Sequence, residues 1–459
     1  MASAGLQDEQ RWTGKGRATR ERIVQAAAEL ILDDGLSALT MVNVRKAASV
    51  SGSQLAHYFV DKQALIRAVI ARQIGVVLDF HRQPKLHGLQ SFDDFERWID
   101  LNMRYLRRIA YSGTPTFHAL AGQLAKSDDA IREAVATAYW RWVALLEQSI
   151  QRMKDHGVLI SDADPRLLAL VIVSAHQGGG TMTFTYRQEW PHAGAVRFAV
   201  NYLRAFAADP AERAPRPPRR LRGPSQRRWA SAEDGDTGSD ATARLTPKGQ
   251  ETRARIVDAT TELMFSRGVA GTSLIDVRGK AAVSGSQLSH YFHDKRDLTR
   301  EVIAARSRDV VAFHTQPHLG SLDSLGALQA WAEACVADTD AVYRRGGCVY
   351  GSLAGELLEA GDDILDDLAA GYDRWLALFR SGLTAMRGRG DLRPDADPRH
   401  LAVALVAAHQ GGAMVTYATG SAEPLRAAVN AGVDYVHSFA PAPQPRIPRT
   451  RSRHKARSS

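Results

Sequence analysis

The sequence predicts an all-α protein made of two fused copies of one helical unit. Apolar residues recur with the 3.6-residue period of helices, and no segment shows the alternation typical of a strand. Residues that lie 233 positions apart match over most of the chain. The 459 residues exceed one ordinary domain, so several hydrophobic cores are expected.

The internal match runs from the start of one unit to its end. Matching pairs include Thr19 with Thr252, Gly35 with Gly268, Gln83 with Gln316, Trp98 with Trp331, Trp142 with Trp375, and His176 with His409. Such a unit is far longer than the repeats of solenoid proteins. The chain is therefore predicted to be two copies of one protein joined head to tail.

The composition suggests six segments. They are a first N-terminal head (15–80), a first helical domain (81–207), a linker (208–247), a second head (248–313), a second helical domain (314–440) and a basic tail (441–459). The linker is basic and proline-rich at first, then small, polar and acidic. We expect it to be disordered, because such a composition cannot build a core.

Each head is predicted to contain a helix-turn-helix, which is two short helices joined by a tight turn. Helices are expected at 18–34, 41–48 and 52–59, with Asp61 opening a longer one. Ser51 and Gln54 have the spacing of a capping box, in which each side chain bonds the other residue's backbone N–H. Further helices are expected at 92–111, 115–125, 129–156, 165–186 and 193–207, with counterparts 233 residues later.

The second short helix of each head carries residue types suited to DNA. Its N-terminus presents free N–H groups, and the small Gly52 and Ser53 allow close approach of a duplex. Gln54 can pair with adenine, or it can serve only as a cap; His57 follows on the same face, or is a plain surface residue. Tyr58 and Lys62 can reach phosphates.

The head also resembles a known family. The order Thr19-Arg20, Ile23, Ala27, Leu30, Gly35, Thr40, Val44, Ala48, Val50-Ser51, Leu55, Phe59, Lys62, Leu65 is similar to the DNA-binding domain of the tetracycline-repressor (TetR) family. The resemblance implies a dimeric transcriptional regulator, usually a repressor, that a small ligand releases from DNA. It also implies phosphate contacts from Thr40, Tyr58 and Lys62.

Two positions depart from the family pattern. Ala56 and Ser289 stand where a tyrosine is common, so a phosphate or packing contact is expected to be lost. Arg45 and Arg278 stand where an alanine is common, so each must point outward or add a DNA contact. The predicted DNA-binding residues are Thr40, Arg45, Gly52, Ser53, Gln54, His57, Tyr58 and Lys62, with Ser273, Arg278, Gly285, Ser286, Gln287, His290, Tyr291 and Lys295.

The resemblance implies that the helical domains 81–207 and 314–440 are regulatory domains, and some of their aromatic and polar residues are candidate ligand contacts. They are Trp98, Trp142, His176 and Gln177 in the first unit, and Trp331, Trp375, His409 and Gln410 in the second. The alternative is that these side chains only fill the core, since aromatics at helical spacing usually do. The glycine pairs 178–179 and 411–412 are expected to allow close helix packing.

The bulk properties limit the function. A net charge of +9 favours an acidic partner, either nucleic acid or an anionic membrane surface. No apolar run of membrane length, secretory signal, metal-ligand spacing or catalytic motif is evident. A cytoplasmic protein without cofactor, metal or enzymatic activity is therefore expected.

The expected partners are an operator duplex, an unknown small-molecule effector and no membrane. Helices within 165–207 and 398–439 are predicted to join the units as an intramolecular pseudo-dimer, with a homodimer of chains as the alternative. A second hypothesis is a helical ligand-binding or scaffolding protein without specific DNA binding.

Overall fold

A computed structural model describes residues 12–111, 116–217, 245–358 and 360–441. Within these ranges the protein is helical and has no strand; one isolated bridge pairs Leu159 with Ala207. The first unit contains helices α1 (Gly14–Asp34), α2 (Met41–Ala47), α3 (Gly52–Tyr58), α4 (Lys62–Arg82), α5 (Phe92–Arg108), α6 (Phe117–Ala125), α7 (Asp129–Asp155), α8 (Pro165–Tyr186) and α9 (Trp190–Arg204). The all-α prediction is confirmed.

The second unit repeats this order. Its helices are α10 (Pro247–Arg267), α11 (Leu274–Ala281), α12 (Gly285–Tyr291), α13 (Lys295–His314), α14 (Leu325–Ala337), α15 (Gly351–Glu356), α16 (Asp362–Arg389), α17 (Pro398–Thr419) and α18 (Glu423–His437). Short 3-10 turns follow α1, α4, α9 and α13, and a three-residue helical turn spans Arg344–Gly346. The two units predicted from the sequence are therefore present.

Several helices differ from the predicted bounds; α1, for example, begins at Gly14 rather than at 18. Two of the differences have an identifiable cause. α9 begins at Trp190 rather than 193, because Pro191 fits the first helical turn, where its missing N–H is not needed. α14 ends at Ala337 although its counterpart suggested 344, and a π-helical turn spans Thr339–Tyr343. This turn places the Tyr343 hydroxyl 2.8 Å from Nε2 of His409, a contact that no sequence period could indicate.

The prediction of a disordered linker is wrong for residues 208–217. A 3-10 turn covers Pro210–Arg213, and the backbone N–H of Arg216 donates to Oδ1 of Asn201 at 3.0 Å. Glu212 forms an ion pair with the buried Arg204, which holds this stretch against α9. The remainder of the predicted linker, 218–244, and the predicted tail from 442 onward lie outside the described residues.

The two units meet in a four-helix bundle of α8, α9, α17 and α18. At its centre α8 crosses α17 so closely that a Cβ on Gly178 would collide with the carbonyl of Ala407. A Cβ on Gly411 would likewise collide with the carbonyl of Ser174. These contacts are equivalent by the 233-residue repeat, so the interface has the reciprocal character of a two-fold dimer.

Polar contacts surround this crossing. Tyr186 donates to Asp373 at 2.7 Å, and Asn201 donates to the Tyr435 hydroxyl at 3.0 Å. The pseudo-dimer predicted from the sequence is therefore the observed arrangement, with both partners supplied by one chain.

Helices α8 and α17 are long and apolar enough to cross a membrane by length and composition. In the structure 89% and 94% of their most apolar windows are buried inside the protein. They are the core helices of the bundle, which explains their composition.

Candidate nucleic-acid interface

Helix α3 and its counterpart α12 begin with the same capping box. The Ser51 hydroxyl accepts from the N–H of Gln54 at 3.1 Å, and Oε1 of Gln54 accepts from the N–H of Ser51 at 2.9 Å. The corresponding distances between Ser284 and Gln287 are 3.1 and 2.8 Å. Reciprocal capping fixes the start of each short helix, so the predicted capping box is present in both heads.

The outward face of α3 is formed by small and polar side chains. Ser53, Gln54 and His57 are exposed, and nothing lies within 4 Å of the position that a Cβ on Gly52 would occupy. Leu55 and Phe59 are each 3% exposed and belong to the same apolar core as Ile23 and Val44. The helix therefore has one anchored face and one face open to a ligand as large as a duplex.

The cap limits how Gln54 can read a base. Its Oε1 already accepts the Ser51 N–H, whereas its Nε2 group remains available as a donor. A bidentate contact with adenine would require Oε1 to accept a second hydrogen bond. Of the two alternatives for Gln54, capping is therefore observed, and base contact stays a prediction.

Tyr58 and Tyr291 are half-buried and contact the start of the first helix of each head. The Tyr58 hydroxyl lies 3.4 Å from the Cβ position of Gly16, and the Tyr291 hydroxyl lies at the same distance from that of Gly249. In the first head the ring of Trp12 also meets Tyr58 edge-on, at 5.4 Å between centroids. These tyrosines position the N-terminus of α1 or α10 in addition to any phosphate contact.

The two lysines predicted to reach phosphates also bond the backbone of their own heads. Nζ of Lys62 donates to the carbonyl of Leu36 at 3.1 Å, and Nζ of Lys295 donates to that of Val269 at 2.7 Å. Burial lowers the pKa of both ammonium groups. Each lysine joins the start of the long helix α4 or α13 to the loop after the first helix of its head, and only its remaining N–H groups can face a phosphate.

The remaining predicted residues lie on the first short helix of each head. Thr40 caps α2, its hydroxyl accepting from the N–H of Asn43 at 3.1 Å, and Ser273 caps α11 in the same way. Arg45 and Arg278 are exposed, in agreement with the expectation that a charged residue there points outward. The Arg278 guanidinium extends towards the start of α12, with its Cζ 3.5 Å from the Cβ position of Gly285.

Sequence reasoning missed a pair of arginines that hold the head together. Nε of Arg22 donates to the carbonyl of Ala48 at 3.0 Å, and Nε of Arg255 donates to that of Ala281 at 3.0 Å. Each arginine joins the first helix of its head to the end of the first short helix. The identity of Arg22 and Arg255 across the repeat was the available signal.

Family models match both heads and both regulatory domains. The model described as bacterial regulatory proteins, tetR family, matches residues 23–69 and 256–302. The chain belongs to the TetR family. Residues 92–192 match the C-terminal domain described as transcriptional regulator LmrA/YxaF-like, and 324–432 match a tetracyclin repressor-like C-terminal domain.

Curated relatives are regulators of the same kind. The HTH-type transcriptional repressor DhaR of Mycobacterium sp. (strain GP1) is 23% identical over 174 residues, which cover 38% of this chain and 86% of DhaR. The HTH-type transcriptional regulator UidR of Escherichia coli (strain K12) is 32% identical over 79 residues, 17% of this chain and 40% of UidR. This protein is thus a tandem TetR-family transcriptional regulator with two helix-turn-helix heads, and TetR regulators are not an enzyme family.

Solved TetR-family structures also align with part of the chain. A TetR transcriptional regulator from Chloroflexus aurantiacus covers 42% of this chain and 98% of its own, with a TM-score of 0.38 and 23% identity. Regulatory protein TetR from Rhodobacter sphaeroides covers 40% of this chain and 98% of its own, with a TM-score of 0.37 and 22% identity.

In the regulatory domains of this TetR-family chain, the predicted tryptophans share one buried histidine per unit. Indole N–H groups of Trp98 and Trp142 point to Nε2 of His81 at 3.1 and 3.4 Å. Nδ1 of His81 donates to the carbonyl of Val77, which leaves Nε2 as the acceptor. Because the indole N–H groups are used in this way, they hold three helices together rather than facing a ligand.

The second unit repeats this arrangement. Trp331 and Trp375 donate to Nε2 of His314 at 3.1 and 3.0 Å. Sequence reasoning missed His81 and His314, although both precede the repeated Gln-Pro pair by two residues.

The predicted histidine and glutamine of each bundle helix are also brought to the core. Nε2 of His176 lies 3.2 Å from Oδ1 of Asn102, and the carboxamide of Gln177 is fully buried. In the second unit His409 bonds the Tyr343 hydroxyl, and Gln410 accepts from Tyr372. The same two residue types therefore have different partners in the two units.

Buried neutral histidines make stability depend on pH. Burial lowers the pKa to about 4 for His81, His118 and His314 and to about 3 for His192 and His409. Between pH 6.5 and about 4 the unfolded chain therefore binds protons that the folded chain does not, so stability falls as pH falls through this window.

We expect the urea midpoint to decrease steadily from pH 7 to pH 5. His118→Phe should flatten this dependence, whereas His293→Ala, at an exposed position, should leave it unchanged. A midpoint that does not change over this range would contradict the expectation.

Proposed function

We propose that this regulator is a ligand-released repressor that binds one near-palindromic operator with both heads of a single chain. The observation that carries the proposal is the reciprocal crossing of α8 and α17, which relates the two units as a two-fold dimer relates its subunits. Helices α3 and α12 begin with the same capping geometry and differ in sequence only at Ala56 and Ser289. Two similar reading helices related by a pseudo-two-fold axis fit two similar half-sites in inverted orientation.

The relatives support this proposal. DhaR is described as a repressor, and the other curated relatives are transcriptional regulators. A regulator must reach chromosomal DNA, so we place the protein in the cytoplasm.

The direct test is selection of bound duplexes from a random pool, followed by footprinting. We expect an inverted repeat whose half-site centres are about 10 base pairs apart, one helical turn, or a small multiple of that. Light scattering should give the mass of one chain on one operator. A strongly asymmetric site would contradict the palindrome, and two chains per operator would favour the homodimer.

The contribution of the glutamines can be separated from their capping role. Gln54→Ala with Gln287→Ala is expected to weaken operator binding at least 10-fold relative to random DNA, since each lost base contact costs about 1–3 kcal/mol. Gln54→Glu with Gln287→Glu is the matched control, because glutamate keeps the cap acceptor and removes the amide donor. The negative charge that glutamate adds weakens binding to operator and to random DNA, so the ratio of the two affinities is compared.

If capping alone matters, the glutamate variant will retain its ratio of operator to random-DNA affinity. If neither variant changes this ratio, the heads do not read bases through these residues. A wild-type protein without preference for any duplex would instead favour the ligand-binding or scaffolding alternative.

A further inference from the structure

The core of the first unit contains a cluster of polar atoms that its own residues leave unpaired. Among the described residues, six such buried atoms lie in this cluster: Nδ1 of His118, the hydroxyl of Tyr139, Nδ1 of His176, both polar atoms of Gln177, and Nδ1 of His192. The Gln177 carboxamide lies near His118, and the backbone of His176 lies near His192; each contact raises the pKa of the histidine against the larger effect of burial. Neither contact has the geometry of a normal hydrogen bond. Unpaired buried polar atoms are costly, so a cluster of six points to a ligand that pairs with them.

The accessible surface of His176 also points to this cluster. His176 is the one residue between positions 168 and 186 of α8 that is not fully buried, although it lies in the middle of the helix. Its ring is 4.4 Å from that of His192 and 4.9 Å from that of Trp142, measured between centroids. Accessible surface on a side chain enclosed by a core marks a space beside it. His409, the counterpart of His176, is buried.

The hydrogen-bond network fixes what two of these atoms can do. Nδ2 of Asn102 donates to the carbonyl of Trp98, so its Oδ1 must accept from Nε2 of His176. The single hydroxyl hydrogen of Thr181 is donated to the carbonyl of Gln177, so Thr181 accepts from Nε2 of His118. Both imidazoles are neutral, and Nδ1 of each is therefore a free acceptor.

The surroundings of the cluster are aromatic and uncharged. The ring of Phe184 stacks on His118 at 5.5 Å, and Phe117 meets Tyr139 at 5.0 Å. The pKa of His176 is lowered by burial first and then only by neighbouring histidines. A charged ligand would find no counter-ion here, and its desolvation would be uncompensated.

The equivalent region of the second unit is filled by its own side chains. Gly351 replaces His118, and Cγ of Gln410 lies 2.8 Å from the position that a Cβ on Gly351 would occupy. Leu425 replaces His192. Tyr372 bonds Gln410, whereas its counterpart Tyr139 has no partner among the described residues.

Only four of the six atoms have an equivalent in the second unit, since Gly351 and Leu425 carry no polar side-chain atom, and two of these four stay unpaired. They are Nδ1 of His409 and Nε2 of Gln410. Tyr343, which stands where the first unit has Ala110, occupies the other side of His409. The substitutions that close this core are therefore confined to one half of the chain.

We propose that the first unit alone binds the effector, and that the effector is an uncharged molecule with an apolar or aromatic body and at least two hydrogen-bond donors. The donors face Nδ1 of His118 and Nδ1 of His176. This inference rests on the proposed ligand-released function and names the site and the ligand class. One effector per chain then serves both heads.

The position of His118 couples the proposed ligand site to the second unit. His118 lies on α6, and Lys126 directly follows that helix. Nζ of Lys126 lies 2.7 Å from Oε1 of Glu356 and 3.1 Å from the carbonyl of Met264, both in the second unit. A shift of α6 on binding is therefore transmitted to α10 of the second head.

The test is titration calorimetry of the full chain with catechol as the probe, with toluene and benzoate as matched compounds. Catechol should bind with a stoichiometry near one per chain and at least 10-fold more tightly than either other compound. Toluene lacks donors, and benzoate carries a charge.

Tyr139→Phe and Tyr372→Phe form a matched pair of variants. Tyr139→Phe removes an unpaired hydroxyl that can donate to a catechol oxygen, so the variant should fold normally and weaken catechol at least 10-fold. Tyr372→Phe should leave catechol affinity within about twofold. Two catechols per chain, no binding of catechol, or an effect of Tyr372→Phe equal to that of Tyr139→Phe would overturn the proposal.

Operator binding by the same protein separates this inference from the proposed function. If catechol does not bind but the operator still does, only the assignment of the ligand site is rejected. Failure of operator binding rejects the proposed function, whatever catechol does.

Discussion

Replacing Gly411 with valine is expected to destabilise the pseudo-dimer by more than about 3 kcal/mol, because the new side chain meets backbone rather than a movable side chain. A Cβ at this position would collide with the carbonyl of Ser174 and lies close to the backbone of Gly178. The two helices would have to separate, and the bundle that joins the units would lose its packing. The free energy of unfolding from urea titration measures the effect.

Gly388 provides the matched control. It also lies in a helix, but nothing lies within 4 Å of its Cβ position. Gly388→Ala should stabilise the protein slightly, by about 0.5–1 kcal/mol, since glycine is a poor helix former. If Gly411→Val and Gly388→Ala had equal urea midpoints, the tight crossing would not be required for the fold.

Replacing Lys126 with methionine is expected to cost about 3–5 kcal/mol, because it leaves a buried carboxylate without its cation. The side chains of Lys126 and Glu356 are 4% and 5% exposed, and their charged atoms are 2.7 Å apart. Oε2 of Glu356 also accepts the N–H of Val269 at 2.6 Å, in the loop that precedes α11. The pair therefore joins the first unit to the head of the second.

The position of the second head depends more on such polar contacts than that of the first head does. Its core residues, among them Ile256, Val277 and Leu288, form an apolar cluster separate from the main core. The first head is continuous with the main core. Footprints of Lys126→Met should therefore show weaker protection of one half-site than of the other.

Two variants make the Lys126 prediction specific. Adding Glu356→Gln to Lys126→Met removes the stranded charge and keeps an acceptor for Val269, so most of the stability should return. Arg166→Met breaks the exposed pair with Glu423 and should cost less than about 1 kcal/mol. Equal losses for Lys126→Met and Arg166→Met would contradict the buried-pair argument.

Much of the head could be predicted from the sequence because its determinants are local. The capping box of Ser51 and Gln54 depends on residues three positions apart, and α8 was predicted with the bounds that the structure shows. The role of Lys62 could not be predicted in this way. Its partner, the carbonyl of Leu36, is 26 residues distant, and only the fold brings the two together.

For the candidate ligand residues, too, local sequence patterns revealed some roles and not others. Trp98 and Trp142 were candidate ligand contacts, with core packing as the alternative, and the structure buries both. The acceptor of their N–H groups, His81, lies on another helix. His118 was not singled out, because its counterpart is Gly351 and the repeat therefore gave no signal. A site that exists in one unit cannot be found from what the two units share.

The sequence by itself determined that this chain is a doubled helical regulator with two nearly identical reading helices, since helix periodicity, caps and the 233-residue match are properties of neighbouring or aligned residues. The tertiary structure decided how the halves differ. The Lys126–Glu356 pair, the crossing of Gly178 with Gly411, and the unpaired atoms around His176 all join residues more than 60 positions apart or on different helices. Such contacts depend on packing across the bundle, and packing is not encoded in any local pattern.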